Sequence, residues 1–237
     1  MTPFEDLLVV QDHDTTTDRL NHRRASLPER DELARRMDAI AALERETAGV
    51  QEQRDEIARN LKRLEDEVAS LEARIAEVDR TLYGGTVTAA RELQALQDEL
   101  QSLQRRQRTL EDDELELMER AEPLDAELER LAAERTAADA EAERLTAAVA
   151  EAEAGIDAEL AEVESQRAEA VANVAEDLLA EYERLRVQLG GVGVARLVNG
   201  SCGGCHLALS AVEVDRIRRE PPDAMVHCEE CGRILVR

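Results

Sequence analysis

Apolar residues recur along this chain at alternating spacings of three and four, with polar residues between them. Ile57, Leu61, Leu64, Val68, Leu71, Ile75, Val78 and Leu82 keep that rhythm without a miss. A heptad seam of this kind predicts a coiled-coil helix. It continues less cleanly upstream through Ile40, Met37 and Leu33. Ser26 followed by Glu29 reads as a capping box, so a separate, shorter helix is expected over 4–24. Leu7, Leu8, Val10 and Leu20 face inward on it. A second seam starts at Leu93 and runs to Val163. Seventeen of its 21 positions are apolar, counting alanine, and the exceptions are Gln107, Glu114, Arg135 and Glu159. At ~1.5 Å per residue this seam extends roughly 105 Å. Pro123 lies inside it, and the missing N–H predicts a kink.

Between the two seams lies a tip at 82–88, Leu82-Tyr83-Gly84-Gly85-Thr86-Val87-Thr88. The glycine pair ends the first helix through left-handed backbone geometry, and Thr88 is expected to cap the next. So short a connection forces the arms antiparallel. Folding about residue 85 places residue 1 opposite about residue 169. Pairing of each helix with another chain is the competing arrangement. A neck over 170–189 is expected to stay helical through Val171, Val174, Leu178 and Tyr182. Gly190-Gly191-Val192-Gly193 then breaks it. Val194–Val198 and Ile234–Val236 read as short strands. Ser210 and Glu213 form another capping box, opening a short helix over Ala211–Arg219 that Pro221-Pro222 stops. The expected fold is therefore mainly α. A long antiparallel coiled-coil hairpin (1–189) leads into a small C-terminal ribbon (190–237) with short β-strands and one short helix.

Four cysteines, the full complement of the chain, lie in that ribbon. Cys202 and Cys205 form one C-x₂-C pair, and Cys228 and Cys231 form a second. Two such knuckles supply four thiolates, the tetrahedral soft-ligand set that zinc prefers. One structural Zn²⁺ is expected, with iron the other metal that four thiolates bind. Four thiolates close the coordination sphere and leave no water to activate. Gly203 and Gly204 inside the first knuckle, and Gly232 after the second, let backbone N–H groups turn toward sulfur. His206 and His227 adjoin the knuckles as alternative ligands. Two disulfides in a secreted protein are the other use of four cysteines. Met1–Leu20 has no cationic start followed by an apolar run, and no stretch is apolar enough to span a membrane, so a cytoplasmic protein is expected.

Composition narrows the function classes. One Phe, two Tyr and no Trp leave little for an ordinary aromatic core, and 35% of residues are charged. Lysine occurs once, at Lys62, a bias expected of a GC-rich bacterial genome. Residues 1–185 carry 23 basic and 48 acidic side chains, a net −25, whereas residues 186–237 carry 7 and 6. The arms therefore repel phosphate backbones. Arg216, Arg218 and Arg219, with Arg196 and Arg233 on the strands, are the ribbon's candidate contacts for nucleic acid or an acidic protein. The other reading of the first three is a solvated helix end complementing the dipole. Tyr83 at the tip is a candidate partner contact. No acidic run converges with a histidine, serine or lysine in a catalytic arrangement.

These segments resemble a known family, the bacterial coiled-coil proteins with a C-terminal C4-type zinc ribbon. The resemblance rests on Leu82–Val87 followed by Arg91-Glu92-Leu93-Gln94-Ala95-Leu96, on Gly200-Ser201-Cys202-Gly203-Gly204-Cys205, and on Val226–Leu235. It covers essentially the whole chain. It implies a long antiparallel hairpin carrying a zinc ribbon. Members have been linked to nucleic-acid binding and to partnership with an alternative sigma factor in flagellar control. The expected role is a non-enzymatic adaptor that docks a protein partner, with transcription machinery and RNA metabolism as candidate settings. A direct nucleic-acid-binding regulator acting through the ribbon's arginines is the alternative. Oligomeric state stays open, because the outer faces of a hairpin can pair again.

Overall fold

The computed structural model describes residues 3–222 and 224–237. Five helices and three strands follow in the order α1 (Pro3–Ala25), α2 (Pro28–Tyr83), α3 (Ala90–Val171), α4 (Glu176–Gln188), β1 (Val194–Val198), β2 (Ser201–Cys202), α5 (Ala211–Arg219) and β3 (Ile234–Val236). The fold is mainly α, with the long helices forming a hairpin. Contacts divide the chain into two compact units, Leu33–Arg144 and the combination of Met1–Glu32 with Leu145–Arg237.

Within Leu33–Arg144, α2 and α3 run antiparallel. Cross-helix ion pairs show the direction: Glu44–Arg135, Glu46–Arg130, Arg54–Asp125, Glu67–Arg106 and Arg74–Glu99. As the first partner advances along α2, the second retreats along α3. The buried side chains are those of the heptad seams. Ile40, Ile57, Leu64, Val78 and Leu82 come from α2, and Leu110, Ala121, Leu131, Ala138 and Ala142 from α3. Alanines at 138 and 142 let the backbones approach closely around Ile40. Helix α3 continues through Pro123. The turn differs from expectation in one respect. Helix α3 starts at Ala90, and the Ala89 carbonyl accepts from the Leu93 N–H. The fold-back point therefore lies later than residue 85. Gly85 takes a φ of 74°, and a Cβ on Gly84 would lie 2.5 Å from the Arg80 carbonyl oxygen. Both glycines are required where they stand.

In the other unit, α1 lies antiparallel to the C-terminal part of α3, with Arg23 on Glu159 and Arg24 on Asp157, and Arg30 in the first turn of α2 continues the series on Glu153. Residue 1, which the sequence sets opposite residue 169, lies outside the described residues. The Ser26 hydroxyl does not cap α2; it donates to the His22 carbonyl at 2.8 Å and so closes α1. The neck also departs from expectation. Helix α3 stops at Val171, and α4 starts afresh at Glu176 after an extended Ala175. The reason is packing. Breaking the helix turns Leu178, Tyr182 and Leu185 into one core with Phe4, Leu7, Leu8 and Val10 of α1, and Val171 and Val174 close its edge.

The same core takes in Val194, Ile234 and Val236 of the ribbon. The sheet order is β2-β1-β3, with β1–β2 antiparallel and β1–β3 parallel. Asn199 (φ 51°) and Gly200 (φ 77°) make the two-residue hairpin turn between β1 and β2, the left-handed pair that such turns demand. Alternation along β1 sends Val194 to the helices and Ala195 to a second core with Cys202, Ile217, Val226, Cys228 and Leu235. Helix α5 begins where its capping box places it, with Ser210 Oγ accepting from the Glu213 N–H at 3.1 Å.

Candidate metal centre

Each knuckle is built the same way. After the second cysteine the backbone turns left-handed, at His206 (φ 62°) in the first and Gly232 (φ 76°) in the second. The His206 N–H then donates to the Cys202 carbonyl and the Gly232 N–H to the Cys228 carbonyl, both at 2.8 Å. The Gly204 N–H donates to Cys202 Sγ at 3.4 Å. Cys202 and Cys228, the first of each pair, are buried, and Cys205 and Cys231 are half-buried.

All four sulfurs lie within 4.8 Å of one another. Cys202 Sγ is 3.9 Å from Cys231 Sγ, and Cys205 Sγ is 3.9 Å from Cys228 Sγ. Tetrahedral zinc with Zn–S near ~2.3 Å sets sulfurs ~3.8 Å apart, so the cage fits the ion. The cysteines are free thiols, which removes the disulfide alternative. Without a metal, burial pushes the Cys228 thiol up to about 12 and raises Cys202 too. Cys231 goes the other way: burial is overcome by hydrogen bonds from the backbone and side chain of Arg233, which bring it to about 7. Zinc supplies the charge that keeps four such sulfurs deprotonated together, and its role is structural.

The candidate ligand histidines stand apart from the cage, which among the described residues comprises cysteines alone. His227 Nε2 lies 3.6 Å from Glu181 Oε1 of α4. His206 is exposed.

The structure does not gather the ribbon's arginines into one free cationic face. Arg216 donates through Nε to Glu213 at 2.9 Å and lies near Glu220 and Glu229. Arg219 pairs with Asp215. Arg233 donates to the Val192 and Leu189 carbonyls at 2.9 and 3.1 Å, which ties the second knuckle to the end of the neck. Its stem crosses Gly204, where a Cβ would sit 2.4 Å from Arg233 Cδ. Arg196 and Arg218 are exposed. Tyr83 is 74% exposed, while Phe4 and Tyr182 are buried in the core.

A polar cluster unread in the sequence holds the ribbon to α1. Gln11, 4% exposed, donates to the Gly191 carbonyl at 2.9 Å and accepts from the Gly193 N–H at 2.7 Å. Asp14, 5% exposed, accepts from Tyr182 Oη at 2.7 Å and from Arg167 Nε at 2.7 Å, with Arg186 beside it. Burial, then the Asp14 bond, raises the Tyr182 phenol well above its ordinary value. At the other end, Arg237 donates to the carbonyls of Ile217, Glu220, Pro221 and Ala224, closing the C-terminus of α5. The available signal was periodicity: Gln11 and Asp14 fall on the helical face of Leu7 and Val10.

Two family models match the chain, one described as a CT398-like coiled coil hairpin domain over residues 10–190 and one as a C4-type zinc ribbon domain over residues 201–235. An uncharacterized protein of Mycobacterium tuberculosis is 33% identical over 231 residues, spanning 98% of this chain and 94% of its own. One from Mycobacterium leprae is 34% identical over 222 residues, with 93% and 94% covered. Among solved structures, one from Mycobacterium smegmatis superposes with a TM-score of 0.89 at 26% identity over 100% of both chains. The structure of CT398 from Chlamydia trachomatis gives a TM-score of 0.68 at 23% identity, with 98% and 96% covered, and so bears on the fold alone. Among the described residues no helix is long and apolar enough to cross a membrane.

Proposed function

The chain belongs to the family of CT398-like coiled-coil hairpin proteins, joined here to a C4-type zinc ribbon, and from that premise we propose a non-enzymatic cytoplasmic adaptor that docks protein partners. One observation carries this reading. The cage is made of four thiolates with no open position, so its zinc organises a surface instead of activating a substrate. The buried polar residues Gln11 and Asp14 are engaged in hydrogen bonds that hold elements together, and buried Glu213 is engaged by Arg216 within α5. Transcription and RNA metabolism are the settings in which such an adaptor fits, with Tyr83 at the tip and Arg196 and Arg218 on the ribbon as contact residues.

The second reading, direct nucleic-acid binding through the ribbon, draws on Arg196, Arg216, Arg218, Arg219 and Arg233. Ion pairing of Arg216 and Arg219 weakens it. Affinity capture from native lysate, with and without nuclease, separates the two. A protein that stays bound after nuclease, and is lost with Tyr83→Ala or with Arg196→Ala and Arg218→Ala together, supports the adaptor. Capture that vanishes with nuclease, with a gel shift that weakens steeply with salt, supports the second reading.

A further inference from the structure

Seam position 114 of α3 holds a glutamate where leucines precede and follow. Among the described residues, Glu114 Oε1 is buried there without a hydrogen-bond donor. Beside it, within the Leu33–Arg144 unit, opens a groove of about 310 Å³ between α2 and α3. Leu61, Met118 and Ala121 form its apolar lining, and Glu65, Glu114 and Glu122 its rim. Among the described residues the groove's one cation is Arg54, already paired with Asp125 at 2.7 Å. Met118 is 54% exposed and Leu115, one turn away, 58%. The seam thus carries here an open apolar slot bordered by acidic side chains, one of which, Glu114, has an acceptor oxygen without a partner among the described residues.

We propose that this mid-arm groove docks a segment of a partner protein that presents an aliphatic side chain flanked by lysine or arginine. The volume sits at the bottom of the ~300–1,000 Å³ range of small-molecule pockets, which suits one or two side chains better than a cofactor. Charge selects the occupant. A buried carboxylate oxygen without a donor costs free energy that a cation from the partner would recover. A second copy of this chain, at net charge −24, brings like charge to the rim, as do nucleic acid and anionic lipid. The inference rests on the adaptor reading and specifies one docking surface for it.

The test uses the zinc-loaded full chain and a labelled amphipathic helical peptide of leucine and lysine, read by fluorescence anisotropy at near-physiological salt. Its leucine–glutamate counterpart serves as the control peptide. Met118→Glu adds negative charge, so diffuse attraction predicts tighter binding, whereas docking predicts a loss of about tenfold or more. Glu114→Gln should weaken binding about fivefold through its charge-assisted bond. Glu116→Gln removes the same charge from the opposite face of α3 and should change binding less than about twofold. Circular dichroism of each variant confirms the fold. Unchanged or tighter binding to the Met118→Glu variant, equal binding of the glutamate peptide, or no binding at all overturns the proposal. In those cases the adaptor reading still stands if lysate capture returns a nuclease-resistant protein that depends on Tyr83 or the ribbon, and it falls too if capture is empty.

Discussion

Replacing Tyr182 with phenylalanine should loosen the junction between the ribbon and the helices while leaving the arms alone. The side chain is 0% exposed, and its hydroxyl donates to Asp14 Oδ2 at 2.7 Å. Phenylalanine fills the same space, so no cavity opens and the cost is that of one hydrogen bond. Asp14 keeps Arg167 at 2.7 Å and Arg186 at 3.7 Å, so its charge remains compensated. A hydrogen bond to a charged group contributes about 1.5–3 kcal/mol, and we expect a loss of about 2 kcal/mol. Asp14→Asn should cost a similar amount, because Arg167 is partly exposed and regains water once its partner is neutral. The double variant should lose about 1–2 kcal/mol less than the sum of the singles. Hydrogen exchange read by mass spectrometry is the assay, since it reports each segment separately. Protection should fall over α1, α4 and β1 and stay unchanged over Leu33–Arg144. A loss below about 0.5 kcal/mol, within the range of an ordinary surface substitution, would refute this view of the junction, as would equal loosening of the arms.

Three further outcomes follow from the same geometry. Tyr182 has a raised folded-state pKa, so its contribution is complete below the unfolded tyrosine value near ~10 and declines above it as the unfolded chain releases the proton. In a Tyr83→Phe background, ultraviolet titration should show no tyrosinate until helical circular dichroism is lost; tyrosinate in a folded chain would contradict the burial. At His206, left-handed backbone costs about 1–3 kcal/mol in a non-glycine residue. Thermal melts should therefore show His206→Gly no less stable and His206→Val less stable, with zinc content unchanged in both; loss of zinc from the glycine variant would make His206 a ligand. Acid should release the metal, because every sulfur must stay deprotonated to hold it and burial favours the thiol at Cys202 and Cys228. A chromogenic chelator should report release that grows as pH falls, together with loss of hydrogen-exchange protection in β1 and β3; release that is independent of pH would argue against thiolate ligation.

Much of this was legible in the chain because periodicity is local. Apart from Ile40 farther upstream, the buried residues of the arms fall at the seam positions from Ile57 to Leu82 and from Leu93 to Val163, and the Ser210–Glu213 box starts α5 where expected. The C-x₂-C spacing alone placed the four sulfurs, since each knuckle is a short turn closed by its own backbone. What escaped depends on partners far away in sequence. Nothing near Ala172–Ala175 signals that the neck must break; the break becomes necessary once Tyr182 has to reach Asp14, 168 residues earlier. Ser26 shows a limit of capping patterns, because its hydroxyl had two carbonyl and amide choices and took the helix behind it. Arg216 carried its answer three residues upstream in Glu213, an i,i+3 pair that counts of basic residues overlook. Arg233 reads in the sequence as a candidate contact, yet it serves as a donor to backbone carbonyls, as does Arg237.

Zinc bound by Cys202, Cys205, Cys228 and Cys231 is the premise that organises the ribbon and, through Val194, Ile234 and Val236, completes the core shared with α1 and α4. Elemental analysis of chain purified without added metal, by plasma mass spectrometry against protein concentration, tests it most directly. We expect one zinc per chain, falling to near zero in a Cys202→Ser, Cys228→Ser variant. A metal-free chain with an intact ribbon, or zinc that survives the double substitution, would contradict the account.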